Sequence, residues 1–412
     1  MIYPRWTAMI LSVLATAALA GGPGPCSSAD DCSLAGRCVS GRCICRAPFA
    51  GPACAALAFG GPSPAAGAYA NASAWSWGGS PITAQRGEDR LYHLFTSQLT
   101  HGCGLLHYQT NSEVVHLTAD RPEGPYAFRG VALAPRRAPP GSSSSSSAHW
   151  DAGTVHGPTI RFDASRQLYA LFYMSTNYSG AAPVCWGNRS YAPTMVSASR
   201  RIGVAWSPSL DGPWARADAP ILAPSEDPAA WDSGDVSNPA PFIAADGSVL
   251  LAYRAGGDRV AVGGGIGIAA APSFRGPYAR TNASMLFAAE DAVLWREPAA
   301  DGGALHMLVH AFQGVGGRAL DNVGGHAWSR DGARWEYAAS PAYTLRADWS
   351  NGSATELYRR ERPQLLFDGG GRPTHLFNGA QPQYGLPLVD CDFSAPCKTF
   401  TMVTPLAQQP TR

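Results

Sequence analysis

The chain has 412 residues, 45% of them hydrophobic, which is enough for one large core or two domains. Lysine and arginine total 31 and aspartate and glutamate total 30, so the formal net charge is +1. This balance gives no support to a nucleic-acid partner or to binding at an anionic membrane surface. The 46 glycines and 34 prolines favour short strands joined by turns.

Residues 1–20 have the pattern of a secretory signal peptide. Arg5 lies in a short polar start, an apolar run begins at Ala8, and the small residues Ala-Leu-Ala precede Gly21. A membrane anchor is the alternative, but the apolar run is short for crossing a bilayer. We therefore expect a secreted, extracellular protein with no transmembrane segment. Five N-glycosylation sequons agree with export and predict exposed loops, at Asn71, Asn177, Asn188, Asn282 and Asn351.

Residues 21–55 form a small cysteine-rich segment. A stretch this short cannot bury a sufficient core, so disulfides are expected to hold it together. Six cysteines permit fifteen pairings, and their spacing does not choose among them. The six are Cys26, Cys32, Cys38, Cys43, Cys45 and Cys54.

This segment resembles an epidermal growth factor-like (EGF-like) module, through Cys43-Ile44-Cys45 and then Phe49 and Gly51 before the last cysteine. Pro48 departs from the glycine that is common in the family. The acidic calcium-binding residues of some modules are absent, so we expect no calcium. The resemblance allows an extracellular protein partner without identifying one. It also implies the disulfide pairs Cys26–Cys38, Cys32–Cys43 and Cys45–Cys54.

After a segment at residues 56–74, interpreted as a linker with an outer strand near its end, one unit recurs five times. Each unit starts with polar residues, usually a proline, and an apolar strand, and a turn and a second strand follow. Four units end in Gly-Pro-aromatic or a near equivalent. The starts are GSPI at Gly79, GPTI at Gly157, NPAPFI at Asn238, EDAVLW at Glu290 and ERPQLLF at Glu361.

Repeated strand–turn units predict the blades of a β-propeller. We therefore predict an all-β chain, with a five-bladed β-propeller over residues 75–412 preceded by the small disulfide-rich EGF-like module. Two β-sandwiches are the alternative, but they do not explain a start that repeats five times. The serine run at 141–147 is interpreted as a surface loop.

Four cysteines lie in the propeller region. Cys391 and Cys397 are close enough in sequence to bridge the last blade, which would leave Cys103 to pair with Cys185. Free thiols remain the alternative for one pair.

The innermost strands of a propeller begin around one mouth, so side chains at the strand starts form a ring. Acids beside aromatic rings suit sugars, which stack on the rings and hydrogen-bond to carboxylates. The predicted ring holds Ser80, His156, Asp235 or Asn238, Glu290 with Asp291, and Glu361 with Arg362. Aromatic residues nearby are Trp75, Trp77, Trp150, Trp231 and Trp295.

The repeat resembles the five-bladed superfamily of arabinanases, levansucrases and invertases (glycoside hydrolase family 43-like). This resemblance implies that Glu290 stands at the arabinanase-like acid and that Glu361 belongs to the acid motif of levansucrase-type members. It places Asn238, with Asp235 nearby, at the middle-blade aspartate. Ser80 then stands at the first-blade aspartate, which departs from the family.

Glycoside hydrolysis usually needs two carboxylates, so the departure at Ser80 removes the usual base. Either Asp235, Asp232 or Asp151 replaces it, or the site only binds. Burial among apolar strands is expected to raise the pKa of Glu290 or Glu361, which suits a general acid.

The first hypothesis is a secreted glycoside hydrolase-like protein that acts on or binds a poly- or oligosaccharide, without cofactor or metal. Glu290 and Glu361 are its acid candidates, Asp235 and Asp291 orient groups or act as base, and Arg362 holds a substrate hydroxyl. Sugar-binding candidates are Asn238, His156, Ser80, Trp77 and Trp231. The alternative is a non-catalytic extracellular glycan-binding or interaction protein.

Three plainer interpretations compete at the same residues. Glu361-Arg362 forms a structural ion pair with an acid of a neighbouring blade, and Glu290-Asp291 caps a loop. His306 and His310 are packed or surface histidines rather than zinc ligands.

Overall fold

A computed structural model describes residues 26–408, except residues 72, 177, 183 and 283 and the segments 86–90, 138–148, 179–181, 186–199, 257–263, 312–322 and 383–398. The predicted signal peptide, the serine run, Asn177, Asn188, Cys391 and Cys397 therefore lie outside the described residues. Among the described residues, no helix has the length and apolarity needed to span a membrane.

The N-terminal module consists of two small hairpins. Strands β1 (Gly36–Val39) and β2 (Arg42–Cys45) pair with each other, as do β3 (Phe49–Ala50) and β4 (Ala56–Leu57). Its disulfides are Cys26–Cys38, Cys32–Cys43 and Cys45–Cys54, the pairs that the EGF-like resemblance implied. A fourth disulfide, Cys103–Cys185, links blades one and two as predicted.

Five four-stranded antiparallel sheets follow, which confirms the predicted five-bladed propeller. The first strand of each of the first four blades is innermost. Blade one has β5 (Ser76–Thr83), β6 (Tyr92–Leu99), β7 (Ser112–Ala119) and β8 (Ala127–Leu133). Blade two has β9 (His156–Asp163), β10 (Leu168–Ser175), β11 (Arg201–Ser207) and β12 (Ala215–Arg216). Blade three has β13 (Val236–Ile243), β14 (Val249–Ala255), β15 (Gly265–Ala271) and β16 (Ala279–Arg280). Blade four has β17 (Ala289–Arg296), β18 (Leu305–Ala311), β19 (Gly324–Ser329) and β20 (Glu336–Tyr337).

The fifth blade closes the ring. Its strands are β21 (Arg346–Asp348), β22 (Ala354–Phe367), β23 (Pro373–Pro382) and β24 (Phe400–Pro405), and β22 packs against the innermost strands of blades one and four. Outside β24 the chain pairs with part of the predicted linker: Phe59 bridges Leu406, and Tyr69 bridges Thr401, both antiparallel. Residues 59–69, which we call the closure segment, thus tie the beginning of the chain to its last strand.

Apolar clusters between neighbouring blades form the core. Leu171 of blade two is buried with Phe95 of blade one. Ile268 of blade three is buried with Met307 of blade four, and Leu366 of blade five with Leu117 of blade one. Burying a side chain of this size contributes about 1.5–3 kcal/mol, so these contacts hold the blades together around the axis.

One β-bulge recurs in every innermost strand, at the start of the strand in blades one to four and midway along β22 in blade five, and it positions the candidate site. The pairing register shifts there in all five blades, and one residue has left-handed backbone geometry (φ between 51° and 72°). Because a bulge sets two residues against one on the partner strand, it can turn consecutive side chains toward the same region. The five left-handed residues are Gly78, Gly157, Asn238, Asp291 and Arg362.

The module packs at the other end of the propeller. Phe49 is buried against Trp295, with ring centroids 6.4 Å apart, and against His306 at 5.2 Å. Arg46 also forms an ion pair with Glu297 at 2.6 Å. Trp295 lies five residues along β17 from Glu290, or about 16 Å at the usual rise per residue of a strand. The module therefore contacts the face opposite the predicted mouth.

Candidate active site

A cavity of about 200 Å³ opens at the ring of bulges. Its wall includes seven of the predicted site residues, and these come from all five blades. The structure therefore confirms that the strand starts converge on one mouth. The seven are Trp77, His156, Asn238, Glu290, Asp291, Glu361 and Arg362.

Three carboxylates of the cavity wall form a cluster with one imidazole that lies behind the wall. Glu290 and Asp291 are consecutive at the bulge of β17, and His310 lies opposite Glu290 on β18. With Glu361 from blade five, each group has a ligand-type atom within 4.8 Å of the others. Such crowding of like charges in a buried place must change their protonation.

Asp291 is held by two neighbouring blades. Its Oδ1 accepts a hydrogen bond from Asn238 Nδ2 at 2.6 Å and lies 3.0 Å from Arg362 Nη1. Burial, together with the charges of Glu290 and Glu361, outweighs the attraction of Arg362 and raises the pKa of Asp291 to about 7. Asp291 can therefore hold a proton near neutral pH.

Glu290 has the opposite electrostatics. Burial would raise its pKa, but the hydrogen bond with His310 Nδ1, at 3.2 Å, and the charge of Arg254, whose Nε lies 3.1 Å away, lower the pKa to about 2. The raised pKa expected for Glu290 is therefore not found. His310 completes the pair, since Glu361, Glu290 and Asp291 overcome burial and raise its pKa to about 9.

The side chain of Arg362 crosses the mouth over two blades that have glycine at the bulge. A Cβ at Gly157 would lie 2.1 Å from Arg362 Nη2, and one at Gly78 would lie 3.1 Å from Arg362 Cδ. Any larger side chain at Gly157 would collide with the guanidinium, which reaches Asn238 and Asp291 on the far side. Arg362 therefore forms the ion pair with a neighbouring blade that the plainer interpretation of Glu361-Arg362 predicted.

Two further arginines line the cavity. Arg200 forms an ion pair with Asp235 and donates from Nη1 to Tyr108 Oη at 2.8 Å. Arg359, two residues before Glu361 on β22, has its Nη1 3.8 Å from Glu361 Oε1. The predicted catalytic residue Asp235 thus lies behind the wall, where it fixes Arg200.

Part of the cavity wall is aromatic and apolar. Trp77 and Tyr108 line it together with Leu105, from the loop between β6 and β7. His156 lies beside the Tyr108 ring, and its Nδ1 is 2.8 Å from Ser112 Oγ. Burial, with the nearby charges of Arg362 and Arg200, holds the pKa of His156 well below its usual value, so this imidazole is neutral.

Ser80 does not lie in the cavity wall. It is fully buried, two residues beyond the bulge, where Oγ donates to Gln364 Oε1 at 3.3 Å and accepts from the backbone N–H of Ile160 at 3.1 Å. The residue of blade one that matches Asn238, Asp291 and Arg362 is therefore Gly78. The prediction placed Ser80 there because it aligned the prolines and ignored the bulge.

Trp231 and the substitute acids are also outside the wall. Trp231 stacks on Tyr253, whose hydroxyl donates to Asp232 at 2.9 Å. Asp151 accepts in the same way from Tyr173 at 2.9 Å in blade two. Each aspartate also forms an ion pair with arginine, at 2.5 Å for Asp232 and 2.6 Å for Asp151. Trp150 stacks on Tyr173 in the same way as Trp231 stacks on Tyr253. Asp151 and Asp232 therefore stabilise the packing of their blades, and neither acid replaces the missing base.

Sequence reasoning missed Arg200, Arg254, Arg359 and Tyr108 and left His310 among packed or surface histidines. A usable signal was present for two of them. In an antiparallel blade the second strand ends beside the start of the first, and Arg254 and His310 stand at such ends. The others come from loop or bulge positions that no local pattern marks.

The four groups of the carboxylate cluster are also the kind of ligands that a cation would need. Metal binding requires a deprotonated imidazole, whereas the three carboxylates raise the pKa of His310 and its Nδ1 is hydrogen-bonded to Glu290. Arg254 and Arg362 already neutralise part of the negative charge. The absence of a metal therefore stays a prediction.

No protein-family model matches the sequence, and no curated protein matches it either. Solved structures do match. A family 117 glycoside hydrolase of the marine bacterium Zobellia galactanivorans has a TM-score of 0.52 and 15% identity, covering 81% of this chain and 84% of that one. An α-L-arabinofuranosidase from Lactobacillus brevis gives 0.52 and 11%, covering 83% and 94%. A thermostable family-43 glycoside hydrolase gives 0.52 and 12%, covering 82% and 92%.

At such low identity the likeness concerns the fold. The chain has the five-bladed propeller of these glycoside hydrolases, as the resemblance in sequence predicted.

Proposed function

We propose that this chain is a secreted carbohydrate-active protein that holds a sugar unit of a poly- or oligosaccharide in the mouth cavity and hydrolyses its glycosidic bond. The observation that carries the proposal is the Glu290–Asp291 pair. Within this pair, the hydrogen bond from His310 and the charge of Arg254 lower the pKa of Glu290, whereas burial and the neighbouring carboxylates raise the pKa of Asp291, so the two carboxyls can provide one base and one acid.

The roles follow from these protonation states. Asp291 donates its proton to the leaving-group oxygen, and Asn238 and Arg362 fix the orientation of its carboxyl group. Glu290 stays ionised and attacks the anomeric carbon as the bond to the leaving oxygen breaks. A water molecule, whose proton passes to the Asp291 carboxylate, then displaces Glu290 and releases the sugar. Glu361 accepts a hydrogen bond from a sugar hydroxyl and takes no part in the proton transfer. The expectation named Glu290 and Glu361 as the candidate proton donors; the proposal gives that role to Asp291 instead.

The cavity supports a small unit rather than a long chain within the mouth. Its volume of about 200 Å³ is below the roughly 300–1,000 Å³ typical of ligand pockets. Trp77 and Tyr108 offer ring surfaces to the apolar face of a sugar, while the charged groups of the wall bind its hydroxyls. A chain end therefore fits better than an internal segment.

A non-catalytic glycan-binding protein is the second candidate. It is favoured by Gly78, which provides no carboxylate in blade one, and by the ion pairs that engage Glu290 and Asp291 in the free protein. Such a protein would bind the same sugars through the same cavity without releasing product.

A glycan screen with the full secreted protein separates the two candidates. Plant, algal and fungal polysaccharides and their oligosaccharides are scored for binding and for sugar release. We expect release by the natural protein, with Asp291→Asn and Glu290→Gln each lowering it at least about 100-fold. Binding without release supports the second candidate, and neither binding nor release refutes both.

Matched controls keep the result specific. Asp218→Asn changes a carboxylate whose side chain is 98% exposed, and Glu336→Gln changes an exposed glutamate on the outermost strand of blade four. Both variants should release sugar at the natural rate. The anomer formed first is also informative, because carboxyl groups closer than the about 6.5–9.5 Å of inverting enzymes favour retention.

Secretion and glycosylation belong to the same proposal. Among the described sequons, Asn351 is exposed in the turn before β22, whereas Asn71 and Asn282 are half-buried with their amides hydrogen-bonded. Of these three sequons, Asn351 alone lies in an exposed loop, as expected. Expression in a eukaryotic host should give a mature N-terminus near residue 21 and a glycan that Asn351→Gln removes; an unprocessed N-terminus would contradict secretion.

The N-terminal module is proposed to be EGF-like and to bind an extracellular protein partner. Its disulfide pairing supports the first part. Its place on the face opposite the cavity would let a partner bind without covering the sugar site.

A further inference from the structure

We propose that the sugar bound in this cavity carries a negatively charged substituent, a carboxylate or a sulfate ester, and that Arg359 binds it. This inference rests on the proposed function, because it specifies the substrate class of the same cavity.

The balance of charge around the cavity is the first argument. Among the described residues at and directly behind its wall, five groups are cationic, counting His310, and four are carboxylates. The cations are Arg200, Arg254, Arg359, Arg362 and His310, and the carboxylates are Asp235, Glu290, Asp291 and Glu361. When Asp291 holds its proton the excess of positive charge increases. A neutral sugar cannot compensate that excess, whereas an anionic substituent can.

The second argument is that Arg359 differs from the other arginines. Arg362 is engaged by Asp291 at 3.0 Å, Arg254 by Glu290 at 3.1 Å, and Arg200 by its ion pair with Asp235. Among the described residues, the Arg359 guanidinium meets Glu361 at 3.8 Å, which is too long for a hydrogen bond, and lies 5.8 Å from the centre of the Tyr358 ring; its side chain is 19% exposed. Its guanidinium therefore keeps most of its donors for a ligand.

The position of Arg359 determines where the anion would lie. Arg359 and Glu361 are two residues apart on β22, with no register shift between them, so their side chains leave the same face of the strand. A sugar that touches Glu361 through a hydroxyl would bring a neighbouring substituent within reach of Arg359. A planar guanidinium can bind a carboxylate or a sulfate through two parallel hydrogen bonds.

The test compares matched glycans with the full secreted protein by isothermal titration calorimetry. One pair is an oligogalacturonate and its carboxyl-reduced counterpart; the other is a sulfated galactan oligosaccharide and its desulfated counterpart. We expect the charged member of at least one pair to bind at least tenfold more tightly, with a preference that weakens as sodium chloride is added. The pair that responds identifies carboxylate or sulfate.

Variants link the preference to its residue. Arg359→Gln should reduce the ratio of charged to neutral affinity to near one, and Arg359→Lys should keep part of it. Arg346→Gln is the control, because Arg346 is 62% exposed on β21 and paired with Asp348; this variant should keep the full ratio.

Two results would overturn the inference while leaving the proposed function intact. One is equal affinity for charged and neutral glycans in the natural protein. The other is a preference that survives Arg359→Gln. If no glycan binds at all, the proposed function fails and this inference fails with it.

Discussion

Glu290 and Asp291 are adjacent in the chain, yet their surroundings give them opposite protonation. Glu290 faces His310 and Arg254, two cations from its own blade and the one before. Asp291 faces one arginine, an uncharged amide and two carboxylates. At this scale the chemistry depends on which neighbouring blade each side chain meets.

The pH dependence of activity follows from Asp291. If Asp291 is the proton donor, kcat/KM should fall as the pH rises above about 7, because the carboxyl loses its proton there. Glu290, whose pKa is lowered by His310 and Arg254, should stay ionised over the measured range and add no acidic limb to the profile. The measurement is kcat/KM between pH 4.5 and 9 on a cleaved glycan. A rate that stays constant to pH 9 would exclude Asp291 as donor.

The same shift has a consequence for stability. The pKa of Asp291 is higher in the folded state, about 7, than its ordinary value of 3.8, so the folded state binds more protons between these values. The contribution of Asp291 to the free energy of unfolding is therefore present at low pH and is lost as the pH rises from about 4 to 7. Asp291→Asn should remove this pH dependence in urea titrations.

Substituting Gly157 tests whether the position of the Arg362 side chain across the mouth is needed for glycan binding. Gly157→Ala places a methyl group 2.1 Å from the present position of Arg362 Nη2 and forces alanine to φ +64°. We expect glycan affinity to fall at least tenfold, with a loss of about 1–2 kcal/mol in stability. Gly352→Ala is the matched control, since φ is +83° there and nothing lies within 4 Å. Gly352→Ala should lower stability and leave glycan affinity unchanged. If both variants change the affinity equally, Arg362 does not need the space above Gly157.

At the scale of elements, the recurring bulge is what builds the site. A regular strand would send Glu290 and Asp291 to opposite faces, and likewise Glu361 and Arg362, because side chains alternate. The bulge lets both members of each pair line the cavity. The repeated strand starts are visible in the sequence, but the register shift between paired strands is not.

Phe49 tests the contact between the module and blade four. It is buried against Trp295, His306 and His326, so Phe49→Ala should lower the free energy of unfolding by about 3 kcal/mol. Phe128→Ala, at a side chain 54% exposed on β8, should have little effect. Equal urea midpoints for the two variants would show that the module does not stabilise the propeller.

For the whole molecule, we expect ring closure to depend on the closure segment at residues 59–69. The closure segment at residues 59–69 hydrogen-bonds with β24, including both backbone bonds between Tyr69 and Thr401. Without it, one edge of the last blade would be left unpaired. The segment interpreted as a linker from its Ala, Gly and Pro content is thus part of the propeller's sheet structure.

Two truncations test this closure, each behind the same signal sequence. A chain starting at residue 58 keeps the closure segment and should be secreted as a folded propeller, although less stable because it lacks the module. A chain starting at residue 75 should fail to accumulate or should aggregate through its open blade. Thermal unfolding of any secreted product measures the difference. Equal yield and stability of both chains would contradict the proposed closure.

The sequence by itself determined the all-β class, the five blades and the residues available at their starts. This worked because turn residues and apolar strands repeat, and a repeat must bury its faces against its own copies. It also gave the disulfide pairs of the module, through resemblance to a known arrangement. These features depend on local pattern.

Only the tertiary structure decided which of these residues meet. Ser80 and Trp231 looked equivalent to site residues, but Ser80 is buried inside blade one and Trp231 is half-buried against Tyr253, since the bulge and the blade packing are not local in sequence. Arg362 reaches Asp291 because Gly78 and Gly157 leave room for its side chain. These four residues come from four different blades, so the contact is not visible in the sequence. The protonation of Glu290 and Asp291 depends on those same contacts, because charges act through space rather than along the chain.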